Sequence, residues 1–89
     1  MTIVIRVLGI ASGFPFESAG QYLRSADVDA YDGRGIADFT RDAKQAMHFA
    51  TYEAAVAFWQ RQSTRRPLRD DGQPNRPLTA YHIEIETLP

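Results

Sequence analysis

The chain has no cysteine among its 89 residues. That absence excludes a disulfide framework and a thiolate metal site, so packing alone must hold the fold. Lysine is almost missing as well, because arginine supplies nine of the ten basic residues, and the formal charge is −1. A protein whose task is to coat nucleic acid draws on a net basic surface, which this composition does not provide. Long apolar runs are also absent. The most hydrophobic stretch, MTIVIRVLGI, is far shorter than the roughly 20 residues that cross a bilayer. It carries Arg6 in its middle and lacks a basic start and a small-residue cleavage site. We expect a soluble, cytoplasmic protein with no membrane partner.

Catalytic signatures are equally scarce. The two histidines, His48 and His82, form no H-x-x-H or H-E-x-x-H spacing, and no serine occupies a G-x-S-x-G elbow. GIASG, at 9–13, follows an apolar alternating segment but lacks the G-K-[ST] ending of a phosphate loop, and it reads as a turn. We expect no catalytic residue, no metal ligand and no cofactor.

What is present is enough apolar material for one core. Hydrophobic residues make up 44% of the chain and ten are aromatic, which suits a single domain over 1–89. In TIVIRVLGI the β-branched residues alternate, with Ile3, Ile5 and Val7 on one side, and this predicts a strand. The loop ASGFPFESAG should tuck an aromatic against the core. QYLRSADVDAYDGRGIADF reads as a hairpin with strands over 22–31 and 34–39, closed by a type I′ turn at Asp32-Gly33. The period then becomes helical. Thr40 can cap a short helix with Ala43, Ala46 and Met47 on its apolar face, and Thr51 can cap a second carrying Tyr52, Ala55, Val56, Phe58 and Trp59. LTAYHIEIE alternates again and predicts a closing strand.

The expected fold is α+β: a four-stranded, mainly antiparallel sheet with two helices on one face, in the order β-β-β-α-α-β. Pairing the first and last strands would set Arg6 against Glu84 or Glu86 on the wet face.

Charge is distributed unevenly along the chain. Asp27, Asp29 and Asp32 cluster near the hairpin, while Arg61, Arg65, Arg66, Arg69 and Arg76 surround the turn-rich segment RRPLRDDGQPNRPLTA. These eight residues are the candidate binding residues, and the pattern suggests a polarised surface. The arginine fork suits carboxylate and phosphate alike. Prolines 67, 74 and 77 make the segment stiff, which serves a structural connector and a recognition loop equally. Within it, Arg76 is expected to be structural, paired with Asp38 or Asp42, and Arg65, Arg66 and Arg69 are expected to serve recognition.

GQYLRS, GRGIADFTRDAKQAMHFAT and PLRDDGQPNRPLTA together resemble a group of small proteins from proteobacteria and their prophages. That group shares a G-x-Y/F-L, F-T-x-D, A-x-x-F-A-T and D-G-x-P-N-R-P-L-T-A pattern. The resemblance covers 20–80 and transfers no functional residue. It implies a phage-associated context, in which small proteins often bind and block a larger host assembly, as anti-CRISPR proteins do. Two functions follow as expectations. The first is a non-enzymatic inhibitor docking on a host protein or nucleoprotein complex; the second is a nucleic-acid accessory module whose arginines, Arg61 to Arg76, contact phosphates.

Overall fold

The opening alternation becomes strand β1, Thr2–Ile10, in a computed structural model that describes residues 2–89. Three further strands follow, β2 (Tyr22–Asp27), β3 (Ile36–Thr40) and β4 (Tyr81–Leu88), and every pairing in the sheet is antiparallel, in the spatial order β3-β2-β1-β4. With the helix α2 (Tyr52–Trp59) this is the expected α+β class, and Ala30–Gly33, labelled α1, is a single turn whose middle residues are not helical. Among the described residues no helix is long and apolar enough to cross a membrane.

β1 and β4 form the longest ladder, and their register places Arg6 opposite Glu84. A bulge between Val7 and Gly9 releases Leu8 to solvent. On the outer face Arg6 Nε lies 2.9 Å from Glu86 Oε2, and Arg6 Nη2 donates to the Tyr22 hydroxyl at 2.7 Å. The Tyr22 hydrogen bond, reinforced by the charges of Glu86 and Glu84, holds the Arg6 guanidinium above its usual pKa against the cost of partial burial.

β1 meets β2 only near its C-terminal half. Arg6 pairs with Tyr22, and Val7 and Gln21 are joined by a 2.8 Å backbone bond. The other half is bridged by Phe49, which exchanges backbone bonds with Ile3 at 2.8 and 3.3 Å, while the Met47 N–H donates to Leu23 O at 2.9 Å. Here the expected helix after Thr40 is overturned. Thr40 closes β3 and its hydroxyl accepts the Asp42 N–H, Asp42 caps one 3₁₀ turn at Ala43–Gln45, and the chain leaves extended at Ala46. A helix through Met47 would use within itself the N–H groups that the sheet needs.

The hairpin also departs from expectation. β2 stops at Asp27 and β3 begins at Ile36, leaving a loop over 28–35 in which Tyr31 and Asp32 take left-handed angles of φ 53° and 56°. Gly33 at φ 86° continues the run, so the expected Asp32-Gly33 pair is left-handed, but it lies in a three-residue stretch of an eight-residue loop rather than in a two-residue type I′ turn. Such angles in residues with a side chain cost about 1–2 kcal/mol each and persist only where surrounding contacts impose them. Those contacts come from the segment after α2.

The core lies between the sheet and α2. Ile5, Val7, Leu23 and Ala55 are buried, with Phe39, Phe58, Trp59, Ile83 and Ile85 packed around them. Thr51 caps α2 by accepting the Ala54 N–H at 3.0 Å, and Ala55 is small enough to bring the helix backbone close to the sheet. The expected stripe is confirmed except at Tyr52, which the first turn leaves exposed. Trp59 is half-buried, its indole N–H donating to Tyr81 O at 3.3 Å. Phe16 supplies the aromatic expected from the first loop, meeting Phe39 and Tyr81 at centroid distances of 5.2 and 5.6 Å, whereas Phe14 is 74% exposed.

Candidate functional site

The segment from Arg61 to Arg76 is a miniature hairpin. Leu68 and Pro74 form an antiparallel bridge, and Arg69 N donates to Gln73 O at 2.8 Å around a turn in which Gly72 supplies a φ of 82°. Two further bonds extend it, from Asn75 N to Pro67 O and from Ser63 N to Asn75 O, both 2.8 Å. Pro67 contributes its carbonyl oxygen, which accepts from Asn75 N and from Gln62 Nε2, at a position where no N–H is called for.

The side chains of Asp29 and Asn75 tie the backbone of this hairpin to the 28–35 loop, and an exposed Arg65–Asp32 pair joins the two at the surface. Asp29 uses one carboxylate oxygen to accept from the Ser63 hydroxyl at 2.8 Å and from the backbone N–H groups of Thr64 and Arg65 at 2.7 and 3.0 Å. Its other oxygen accepts from the Thr64 hydroxyl at 3.0 Å. The Arg65 N–H, then the Ser63 hydroxyl, then the two Thr64 donors hold its carboxyl at a pKa of about 2. Asn75 ties from the opposite side, donating to Gly33 O at 2.6 Å and to Arg66 O at 2.9 Å. Gly33 and Gly35, at φ 86° and 82°, let the two chains touch: a Cβ on Gly33 would lie 2.5 Å from Arg66 Cβ, and one on Gly35 would lie 2.6 Å from Pro77 Cβ. The backbone of the arginine segment is therefore structural, and its side chains stand outward from it.

The expected separation of acidic and basic surfaces does not hold, because the fold lays one cluster against the other. Arg65 Nε is 3.2 Å from Asp32 Oδ1, Arg66 pairs with Asp70, and Arg69 lies 3.1 Å from Asp71. Arg61 sits over the Phe58 ring at 5.2 Å. Asp27 accepts the Asp29 N–H at 2.9 Å and is, like Asp29, a loop-shaping residue. The structural pairing expected of Arg76 is not formed. Arg65, Arg66 and Arg69 each have a carboxylate, and Arg76 pairs with neither Asp38 nor Asp42: Asp38 lies 3.8 Å from Arg24, and Asp42 accepts from Lys44 N. His48 approaches Ala43 O at 3.2 Å, and His82 is exposed on β4.

Sequence reasoning passed over Arg34. With Arg76 it forms no ion pair among the described residues, and the two share the wall of an open cleft of about 420 Å³ with Arg69, Asn75 and Thr79. A smaller concavity of about 190 Å³ adjoins it, bounded by Arg34, Arg66, Arg69 and Asp70. The available signal was that both arginines are flanked by residues of unusual backbone behaviour, the permissive glycines of GRG and the proline of NRP. On the far side of the lobe, Asp29, Phe58, Arg61 and Thr64 line a third hollow of about 260 Å³.

Comparison with protein-family models, curated proteins and solved structures finds no match.

Proposed function

We propose that the protein is a non-enzymatic binding module that docks on a host protein or nucleoprotein complex, in the manner of small inhibitors carried by mobile elements. The contact surface is the lobe built from the 28–35 loop and the 61–76 hairpin. One observation carries this reading. The lobe's backbone is fixed by Asp29 and Asn75, while the charged ends of Arg34, Arg65, Arg66, Arg69 and Arg76 remain at the surface. A surface whose backbone is already ordered loses little conformational entropy on binding, so a modest set of contacts yields useful affinity. The expected resemblance of 20–80 to small proteins from proteobacteria and their prophages points in the same direction.

A nucleic-acid role fits less well. Asp32, Asp70 and Asp71 stand beside the arginines, and no aromatic residue lines the arginine cleft to stack on a base. The test is quantitative affinity capture in the host with nuclease present, comparing the native chain with Arg66→Glu/Arg69→Glu. Exposed ion pairs of this kind contribute roughly 0–1 kcal/mol, so the variant should melt close to the native temperature. A partner held in fixed stoichiometry by the native chain and lost from the folded variant supports the lobe as the contact surface. Equal retention by both chains refutes it.

A further inference from the structure

We propose that the cleft between Arg34 and Arg76 is a receptor for paired carboxylates on an acidic segment of a protein partner. The inference rests on the docking role of the lobe and assigns chemistry to one part of it. It starts from how the two arginines are placed. Arg34 lies between Gly33 and Gly35, and Arg76 lies between Asn75 and Pro77. Asn75 bonds Gly33 O at 2.6 Å, and Pro77 Cβ occupies the space where a Gly35 Cβ would be, so both flanks of one arginine are docked on both flanks of the other. The tripeptides 33–35 and 75–77 thus run side by side, and two guanidinium groups are delivered to a single cleft.

Two like charges held together repel unless an anion joins them. For three of the lobe's other arginines the fold supplies one, Asp32 for Arg65, Asp70 for Arg66 and Asp71 for Arg69, while Arg61 lies apart over the Phe58 ring. For Arg34 and Arg76 it supplies none among the described residues. Around the two adjoining concavities, the four guanidiniums of Arg34, Arg66, Arg69 and Arg76 face the two carboxylates of Asp70 and Asp71, which leaves a local excess of two positive charges in a chain of net charge −1. The complement of that excess is two negative charges confined to the cleft.

A carboxylate pair matches this, because each arginine fork can take one carboxylate through two parallel N–H bonds. A nucleic-acid strand matches it poorly. Its charges continue beyond the cleft in both directions, where Asp32, Asp70 and Asp71 would meet them.

The experiment follows the side-chain Nε–Hε resonances of the arginines by NMR. The intact protein is titrated with a short capped peptide containing Asp-Glu-Asp, with the matching Asn-Gln-Asn peptide, with inorganic phosphate and with a single-stranded oligonucleotide. The acidic peptide should shift the Arg34 and Arg76 signals and leave Arg61 unmoved, while the amide peptide should shift none. Arg34→Ala/Arg76→Ala should weaken peptide binding at least about tenfold, since a charge-assisted bond is lost at each position, without lowering the melting temperature. Silence at Arg34 and Arg76 overturns the proposal. So does phosphate binding as tight as the peptide, which would mark a single-anion site, and so does tighter binding of the oligonucleotide with a steep salt dependence. If Arg66→Glu/Arg69→Glu loses the host partner while Arg34 and Arg76 stay silent, the lobe still docks and only the carboxylate assignment fails.

Discussion

Replacing Gly33 with alanine tests the joint on which the lobe depends. Two penalties apply and can be separated. The first is conformational: at φ 86° an L-residue occupies left-handed space at about 1–2 kcal/mol. The second is steric. The new methyl would lie 2.5 Å from Arg66 Cβ, 2.9 Å from Ser63 Oγ and 3.1 Å from Asn75 Nδ2. None of these is the free end of a flexible chain, because Ser63 is held by Asp29 and Asn75 is held by Gly33 O and Arg66 O. The methyl must therefore push the two chains apart, and overpacking of this kind costs about 1–3 kcal/mol. The expected loss is about 2–5 kcal/mol.

Gly72→Ala is the matched control. Gly72 has φ 82° but nothing within 4 Å of its would-be Cβ, so it carries the conformational penalty alone. Both substitutions also restrict the unfolded chain by the same amount, a contribution that cancels in the difference. What remains is the steric part. At roughly 4–8 °C per kcal/mol for a domain of this size, Gly33→Ala should melt at least about 4 °C below Gly72→Ala in a thermal denaturation followed by circular dichroism. The Asn75 side-chain amide should also lose protection from hydrogen exchange in the first variant only. Equal melting temperatures for the two variants would show that the 28–35 loop and the 61–76 hairpin are not in contact at Gly33.

The acid limb of stability should carry the signature of Asp29. Its folded pKa of about 2 lies below the ordinary 3.8, so its contribution is complete above about pH 4 and is lost as pH falls toward 2, and Asp29→Asn should flatten that part of the melting profile; parallel native and variant curves there would refute the clamp. Phe16→Ala should cost about 3 kcal/mol through loss of its contacts with Phe39 and Tyr81, while Phe14→Ala, at an exposed ring, should stay within about 0.5 kcal/mol in denaturant titrations. Trp59 should fluoresce at a wavelength between those of buried and water-exposed indole, and Trp59→Ala should cost about 3 kcal/mol, the low end for a large aromatic because the ring is half-buried.

Elements governed by periodicity were legible in the sequence. The alternation of Ile3, Ile5 and Val7 and of Tyr81, Ile83 and Ile85 defined the two strands that form the main ladder, and the spacing of Ala55, Val56 and Trp59 defined the helix that covers them. The segment over 43–49 was misread because its apolar residues also fit a helical spacing, while its outcome is set by β1 and β2, which diverge and leave Ile3 and Leu23 with backbone groups to satisfy. The length of the loop was missed for a related reason. Asp32-Gly33 is left-handed as a local turn would have it, but Gly33 also makes the close approach to Arg66, and Asp29 must reach Thr64 and Arg65, so tertiary contact opens the two-residue turn into a loop over 28–35 with Tyr31 left-handed as well. At the candidate site, counting charges along the chain located the arginines but could not pair them, since Asp32 and Arg65 meet across a separation of 33 residues.

The form of the lobe carries a consequence for how contact chemistry and stability are divided. Its order rests on Asp29, Ser63 and Asn75 and on the close approaches of Gly33 to Arg66 and of Gly35 to Pro77. None of them uses a guanidinium. The arginine ends can therefore be exchanged at little cost to the fold, because the exposed pairs they make are weak and the hairpin ladder beneath them is independent of side-chain charge. A scaffold of this kind can change its partner preference through substitutions at 34, 65, 66, 69 and 76 while 29, 33, 35, 63 and 75 stay constrained by geometry. Under the proposed function, the stiff connector and the recognition loop are two layers of one segment, with the backbone serving the first role and the side chains the second.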